Sequence, residues 1–196
     1  MPTHLVDHNI GTMYSKGKLQ IVRATAGLFW TIALALPVRA ADSSVLAIRS
    51  SAFVPEAAIA AEYSCTGADQ SPPLTWSGVP GGAKSFALIV ADSDAPSGKF
   101  VHWVIYNLPA SARGLPPATA KTETLAAGGV QGINSFRQIG YNGPCPPPGP
   151  AHHYHFKLYA LDIVLNLKPG ANADAVAAAA AGHVLAAAEM VAVFGR

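Results

Sequence analysis

Charge is scarce in this chain. Only 12% of its residues are charged, and formal net charge is +2. Even that small excess is unevenly placed. Removing residues 1–40 takes away Lys16, Lys18, Arg23, Arg39 and Asp7, which leaves residues 41–196 near −1. There is no basic patch for nucleic acid, which is not expected as a partner, and no polybasic segment for a membrane surface. Also absent are Gly-x-Gly-x-x-Gly, a Walker-type loop and Gly-x-Ser-x-Gly. Nothing marks a dinucleotide site, a phosphate-cradling helix or a hydrolase elbow, and no cofactor is expected. Cysteine occurs only twice, as Cys65 and Cys145. The longest apolar run, residues 24–36, is too short for a comfortable transmembrane helix, which needs roughly 20 residues.

That run has another use. It follows Lys16, Lys18 and Arg23 and precedes Pro37-Val38-Arg39-Ala40. A basic region, an apolar region of secretory length and small residues at −3 and −1 predict a signal peptide cleaved after Ala40. Met13 as the true start would give a leader of more ordinary length, and an uncleaved anchor is the alternative. The expected domain is then residues 41–196, periplasmic or secreted. Two cysteines in an exported protein predict one disulfide, Cys65 to Cys145, closing a loop of about 80 residues. Separate thiols are the alternative.

What is abundant is glycine, proline and apolar residues: 18 Gly, 16 Pro and 51% hydrophobic. Aperiodic Gly and Pro throughout the middle favour a loop-rich β fold. Residues 45–49 alternate weakly, as a first strand. Leu74-Thr75-Trp76 is a short strand. Residues 85–91 (SFALIVA) and 100–108 (FVHWVIYNL) read as strands buried on both faces, and 153–161 (HYHFKLYAL) as a third strong strand. Residues 109–138 are weakly patterned and read as a long surface excursion, of the kind that tends to be functional or mobile. Residues 171–193 are Ala-rich and read as a helix with Asn172 or Asp174 at its N-cap. Gly182 weakens that helix, which then relies on packing against the sheet. The order predicts a mainly β protein: an antiparallel β-sandwich with long Pro/Gly-rich loops and a C-terminal helix.

Two segments about fifty residues apart gather the polar chemistry. One is Asp92-Ser93-Asp94-Ala95-Pro96, continuing to His102-Trp103. The other runs from Gly140-Tyr141-Asn142-Gly143-Pro144-Cys145-Pro146-Pro147 into His152-His153-Tyr154-His155. If they meet, acid, imidazole and phenol groups form a compact polar pocket. Asp92 and Asp94 lie two apart on an extended chain, so both carboxylates could enter it, and like charges would raise one pKa. The bland alternative is an Asx-turn. Along a strand, His152 and Tyr154 share one face while His153 and His155 share the other, so consecutive histidines cannot chelate one ion. A zinc site would need His152, His102 and an Asp to converge, and typical zinc spacings are absent, so no metal is expected. Ser93 stands between two acids, outside any Gly-x-Ser-x-Gly motif. Cys145 with His152 is disfavoured as a nucleophilic pair by flanking prolines and the expected disulfide. Imidazole and carboxylate without a clear attacking group favour binding over catalysis, and no catalytic residue is assigned.

These motifs, together with Tyr63-Ser64-Cys65-Thr66-Gly67, Ser71-Pro72-Pro73-Leu74-Thr75-Trp76, Lys84-Ser85-Phe86-Ala87-Leu88-Ile89-Val90 and Tyr154-His155-Phe156-Lys157-Leu158-Tyr159-Ala160-Leu161-Asp162, resemble the phosphatidylethanolamine-binding protein family. Within it, they are most similar to the bacterial Raf-kinase-inhibitor-like branch. The resemblance implies a β-sandwich with an anion pocket at one end, built from Asp92, His102, His152 and Tyr154. The loop around Gly143, Pro146 and Pro147 would complete it with backbone N–H groups. It implies phosphate-like or carboxylate ligands, phospholipid head groups among them. Trp103 is expected in the core. Two departures stand out. The family's Asp-Pro-Asp is Asp92-Ser93-Asp94, which frees a backbone N–H and loosens the loop. Its His-Arg-Tyr is His152-His153-Tyr154, which removes a structural or rim ion pair and not an anion contact. Two other functions stay open at this point: an inhibitor or interaction module with the pocket as its switch, and a weak hydrolase using His102 and His152 as acid and base. The sequence identifies no protein partner, and a homodimer is neither required nor excluded.

Overall fold

The computed structural model describes residues 45–196. The expected leader, residues 1–40, and its cleavage after Ala40 lie outside the described residues.

Five strands form the larger sheet. In chain order they are β3 (Ser85–Asp92), β4 (Phe100–Pro109), β6 (Val130–Gln131), β7 (His152–Leu161) and β8 (Val184–Phe194), arranged β6-β4-β3-β7-β8 with every pair antiparallel. The smaller sheet is β1 (Ala47–Ser50), β2 (Leu74–Ser77) and β5 (Gly114–Leu115), in order β1-β2-β5. Ile48, Leu74, Trp76 and Leu115 from the smaller sheet pack with Phe86, Leu88, Trp103, Ile105, Phe156 and Leu158 from the larger one. This is the core of an antiparallel sandwich, as expected. The near-continuous apolar run of β3 has a second use. Ala87, Ile89 and Ala91 face the other way and are covered by α1 (Ala173–Ala180), with Val176 and Ala180 against them. A strand buried on both faces needs apolar residues at every position, which is why β3 shows no alternation.

The Ala-rich terminal segment departs from expectation. Asn172 does cap the helix, its side-chain oxygen accepting from the Ala175 N–H at 2.9 Å. The helix stops after Ala180, however, and residues 184–194 form β8. Gly182 is a turn residue at φ +80°, not a weak helical position. β8 pairs with β7 along nearly its whole length, from Leu161↔Val184 to His152↔Phe194. Ladder bonds and burial of Met190, Ala192 and Phe194 override the helix propensity of alanine.

Residues 109–138 are also less of an excursion than their composition implies. They carry β5 and β6, and Gln131 and Asn134 are buried. Gln131 Oε1 accepts from the Trp103 indole N–H at 2.7 Å, and its amide donates to the carbonyls of Ala120 and Thr122. Trp103 is wholly buried, as expected.

Candidate functional site

A cavity of about 270 Å³ opens at the end of the larger sheet, where β3, β4 and β7 meet two loops. Its walls include Asp92, Phe100, His102, Phe136, Pro146 and His152. The two segments singled out in the sequence therefore do meet.

His102 reaches this cavity because β4 carries a bulge. Val90 pairs with Trp103 and Ala91 with Val101, so His102 is the extra residue. The bulge breaks the alternation: Trp103 belongs to the sandwich core, yet Val101 and Val104 belong to the outer cluster. His102 is thereby turned toward the same side as Trp103, and its ring meets that of Tyr154 edge-on at 5.2 Å. Bulges commonly re-aim a side chain in this way. Its Nδ1–H donates to the Asn142 carbonyl at 2.8 Å, and the Asn142 N–H donates back to the His102 carbonyl at 3.1 Å. Asn134 bridges both segments through its amide, which donates to the His102 carbonyl at 3.4 Å on one side and to the Gly140 carbonyl and Asn142 Oδ1 on the other. Burial lowers the His102 pKa, only partly offset by the Asn142 carbonyl and the Asp92 charge. A neutral His102 with Nδ1 engaged can offer Nε2 only as an acceptor.

Asp92 ends β3, opposite Tyr154 of β7. Its Oδ2 accepts from His152 Nδ1–H at 2.7 Å, and both groups are buried. Its Oδ1 accepts from the Asp94 N–H at 2.8 Å, which makes Asp92 the residue of the Asx-turn. That turn sends Asp94 elsewhere. Asp94 Oδ2 takes the backbone N–H and the Nδ1–H of His153 on the exposed face, both at 2.7 Å. The expected pair of close carboxylates does not form. The Asp94 pKa is lowered, mainly by the side-chain hydrogen bond from His153. Strand alternation holds: His152 and Tyr154 are buried, and His153 and His155 point outward. Where the family motif has arginine, His153 holds Asp94 on the exposed face through two hydrogen bonds. The backbone N–H that Ser93 retains is also used, donating to the His153 carbonyl at 3.3 Å, so the loop is anchored here and not loosened.

Tyr154 lies behind the cavity wall. It is 1% exposed, and its hydroxyl is the buried side-chain polar atom without a hydrogen-bond partner among the described residues. Burial raises the phenol pKa strongly, and the nearby Asp92 charge adds to this. Tyr154 is thus a neutral donor at physiological pH, close to a carboxylate but without hydrogen-bond geometry to it.

The Pro-rich loop provides walls more than donors. Pro146, Pro147 and Cys145 line the cavity. Gly143 does not; it packs on Tyr63 and Ser64, and its N–H is committed to Asp69 Oδ1 at 2.6 Å. Prolines have no N–H, so within residues 143–147 only Cys145 can still donate from its backbone. Cys65 and Cys145 are bonded, as expected, across 80 residues. Closing a loop of that length stabilises the fold by about 4 kcal/mol through lost chain entropy. It also removes Cys145 as a nucleophile. Pro146 is held from a second side, its carbonyl accepting from Arg196 Nε–H. Among the described residues no three His, Cys, Asp or Glu side chains cluster to hold a metal ion, and no helix is long and apolar enough to cross a membrane.

Phe136 and Asn134 were not singled out in the sequence, and Asn142 was named only as part of its segment. All three are polar-loop or Gly-neighbouring residues whose role depends on the fold. Phe136 meets both Phe100 and His102 edge-on, at 4.9 and 5.4 Å, and closes the cavity rim.

Fold and cavity together define a class of protein: an antiparallel sandwich with a small cavity at the end of its larger sheet, where Asp92, His102 and His152 stand among largely apolar walls. Comparison with known proteins makes this particular. The family described as phosphatidylethanolamine-binding protein matches residues 49–195, and the chain belongs to that family. It is 47% identical over 149 residues to the UPF0098 protein of Methanothermobacter thermautotrophicus, covering 76% of this chain and 98% of that one. It is 42% identical over 160 residues to a Mycobacterium tuberculosis protein bearing a lipoprotein name, LppC, covering 78% of this chain and 75% of that one. Among solved structures, the phosphatidylethanolamine-binding protein homologue CT736 of Chlamydia trachomatis superposes with a TM-score of 0.72 at 37% identity, covering 79% of this chain and 99% of that one. YbcL of E. coli, described as a member of the mammalian family, gives 0.72 at 34%, covering 77% and 98%.

Proposed function

We propose that this chain is an exported binding protein for a small anion, a phosphate, a carboxylate or a phospholipid head group of the phosphoethanolamine type. The observation that carries the reading is the buried donor set around one small cavity. His152 is oriented by Asp92, and the Tyr154 hydroxyl beside them lacks a partner. With Nδ1–H given to Asp92, His152 has Nε2 left for a ligand at the cavity wall. Neutral His102 can accept from a protonated anion oxygen, such as that of a monohydrogen phosphate. The cavity volume, below the roughly 300–1,000 Å³ usual for drug-sized ligands, suits a head group or free ion. Binding without chemistry fits a pocket whose cysteine is bridged. The disulfide and a relative with a lipoprotein name support export.

Thermal unfolding with and without phosphate and phosphoethanolamine tests this, beside His152→Ala. A ligand at a hundred times its dissociation constant stabilises by about 2.7 kcal/mol. The wild type is expected to shift with at least one of the two, and the variant with neither. A folded wild type that shifts with no anion would refute the reading.

A further inference from the structure

The outer face of the larger sheet carries a second cluster that anion binding does not use. Ser93 Oγ lies 3.0 Å from His155 Nε2, and His155 Nδ1 lies 2.5 Å from Glu189 Oε1. The order is hydroxyl, imidazole, carboxylate, with the two ring nitrogens in separate roles. The sheet register produces it. His155 of β7 stands opposite Ala91 of β3 and Val191 of β8, so Ser93 and Glu189 are its diagonal neighbours on opposite sides. Diagonal neighbours on one face are within reach of long side chains. Glu189 accepts Nδ1–H and so fixes the tautomer that leaves a lone pair on Nε2, aimed at the serine hydroxyl. Burial raises the Glu189 carboxyl, but the hydrogen bond from His155 and the charge of Lys157 outweigh it and hold the group below its ordinary pKa. It is ionised at neutral pH.

The cluster also has a place for a substrate. A groove of about 220 Å³ is lined by Ser93 and His155 together with Ile89, Tyr159, Lys99 and Lys157. Its lining combines apolar side chains with two ammonium groups. Lys157 Nζ lies 3.5 Å from Glu189, and Lys99 Nζ 3.5 Å from Asp174 on α1.

We propose that Ser93, His155 and Glu189 form a nucleophilic relay that cleaves short-chain acyl esters carrying a negative charge. The groove volume limits the acyl part to a few carbons, and the two lysines favour an anionic substituent. In the acylation step Ser93 Oγ bonds to the ester carbonyl carbon while its proton passes to His155 Nε2. The carbon–oxygen bond to the alcohol then breaks, and the alcohol leaves with that proton. Water reverses the sequence: its proton goes to His155, its oxygen bonds to the acyl carbon, and Ser93 departs and recovers the proton. Ser93 and His155 touch the reacting atoms, whereas Glu189 positions the imidazole. This goes beyond the anion pocket and does not depend on it.

The test uses the full chain with two readouts. A fluorophosphonate probe followed by peptide mass mapping is expected to place its adduct on Ser93 and to leave Ser93→Ala unlabelled. Hydrolysis of p-nitrophenyl acetate and of its anionic analogue, mono-p-nitrophenyl succinate, is expected to be faster for the anionic ester. It should fall at least ~10²-fold in Ser93→Ala. Glu189→Gln should lower turnover with little change in KM. No adduct on Ser93 in the wild type would overturn the proposal without reference to any variant. So would hydrolysis that survives Ser93→Ala but is lost in His155→Ala, since the imidazole would then act alone.

Discussion

Tyr154 is the residue on which the pocket argument can be separated from general stability. A buried hydroxyl without a partner has lost its water hydrogen bonds and gained none in return, which costs about 1–3 kcal/mol. Tyr154→Phe should therefore leave the unliganded protein as stable as the wild type or more so. If the hydroxyl donates to a bound anion, the same change should weaken phosphate or phosphoethanolamine binding by about tenfold, worth 1.4 kcal/mol. Calorimetric titration together with urea unfolding checks both signs at once. Loss of stability without loss of affinity would return Tyr154 to the core. Much of the site is visible at this scale in the sequence, because strand alternation sorts His152 and Tyr154 from His153 and His155. The bulge at His102 is not visible. The Asx-turn at Asp92 was in the sequence only as one of two alternatives, whereas the bulge depends on which residue of the partner strand lies opposite. Phe136 was hidden for the same reason: it is a lone aromatic in a weakly patterned stretch, and only the fold brings it to Phe100 and His102.

At the scale of elements, β8 shows how pairing overrides composition. Alanine is the best helix former and is also small enough for either face of a strand, so residues 184–194 carry little period-two contrast. Only Met190, Ala192 and Phe194 mark the inward face. The strands β3, β4 and β7 are legible because valine, isoleucine and aromatics crowd them. Gly182→Ala distinguishes the two arrangements by sign. In a helix interior the change would stabilise by about 1 kcal/mol. At φ +80° in the turn between α1 and β8 it should destabilise by about the same amount, because a Cβ disfavours the left-handed region. A Cβ there meets no atom within 4 Å, so backbone conformation alone sets the effect. A lowered unfolding midpoint with unchanged cooperativity is the expected result.

For the whole molecule, the buried phenols set an alkaline limit. Burial raises the pKa of both Tyr141 and Tyr154 well above the ordinary 10.0. Below that ordinary value both folded and unfolded states hold the proton, and the stabilising contribution is complete. Above it the unfolded chain releases protons that the folded protein keeps, so stability falls as pH rises. Urea midpoints between about pH 8 and about pH 11 should decline, and the phenolate absorbance of these residues should appear with unfolding and not before it. A midpoint flat across that range would show that these phenols ionise without unfolding. The bridge between Cys65 and Cys145 has a consequence at the same scale. Cys145 is itself part of the cavity wall, and the Cys65 N–H holds the Pro144 carbonyl beside it at 3.1 Å. The pocket is therefore assembled by oxidation as well as by folding. Protein made in a thiol-rich cytoplasm, or kept in reductant on the bench, is chemically a different molecule at this cavity from the oxidised form, with the same sequence and most of the same fold.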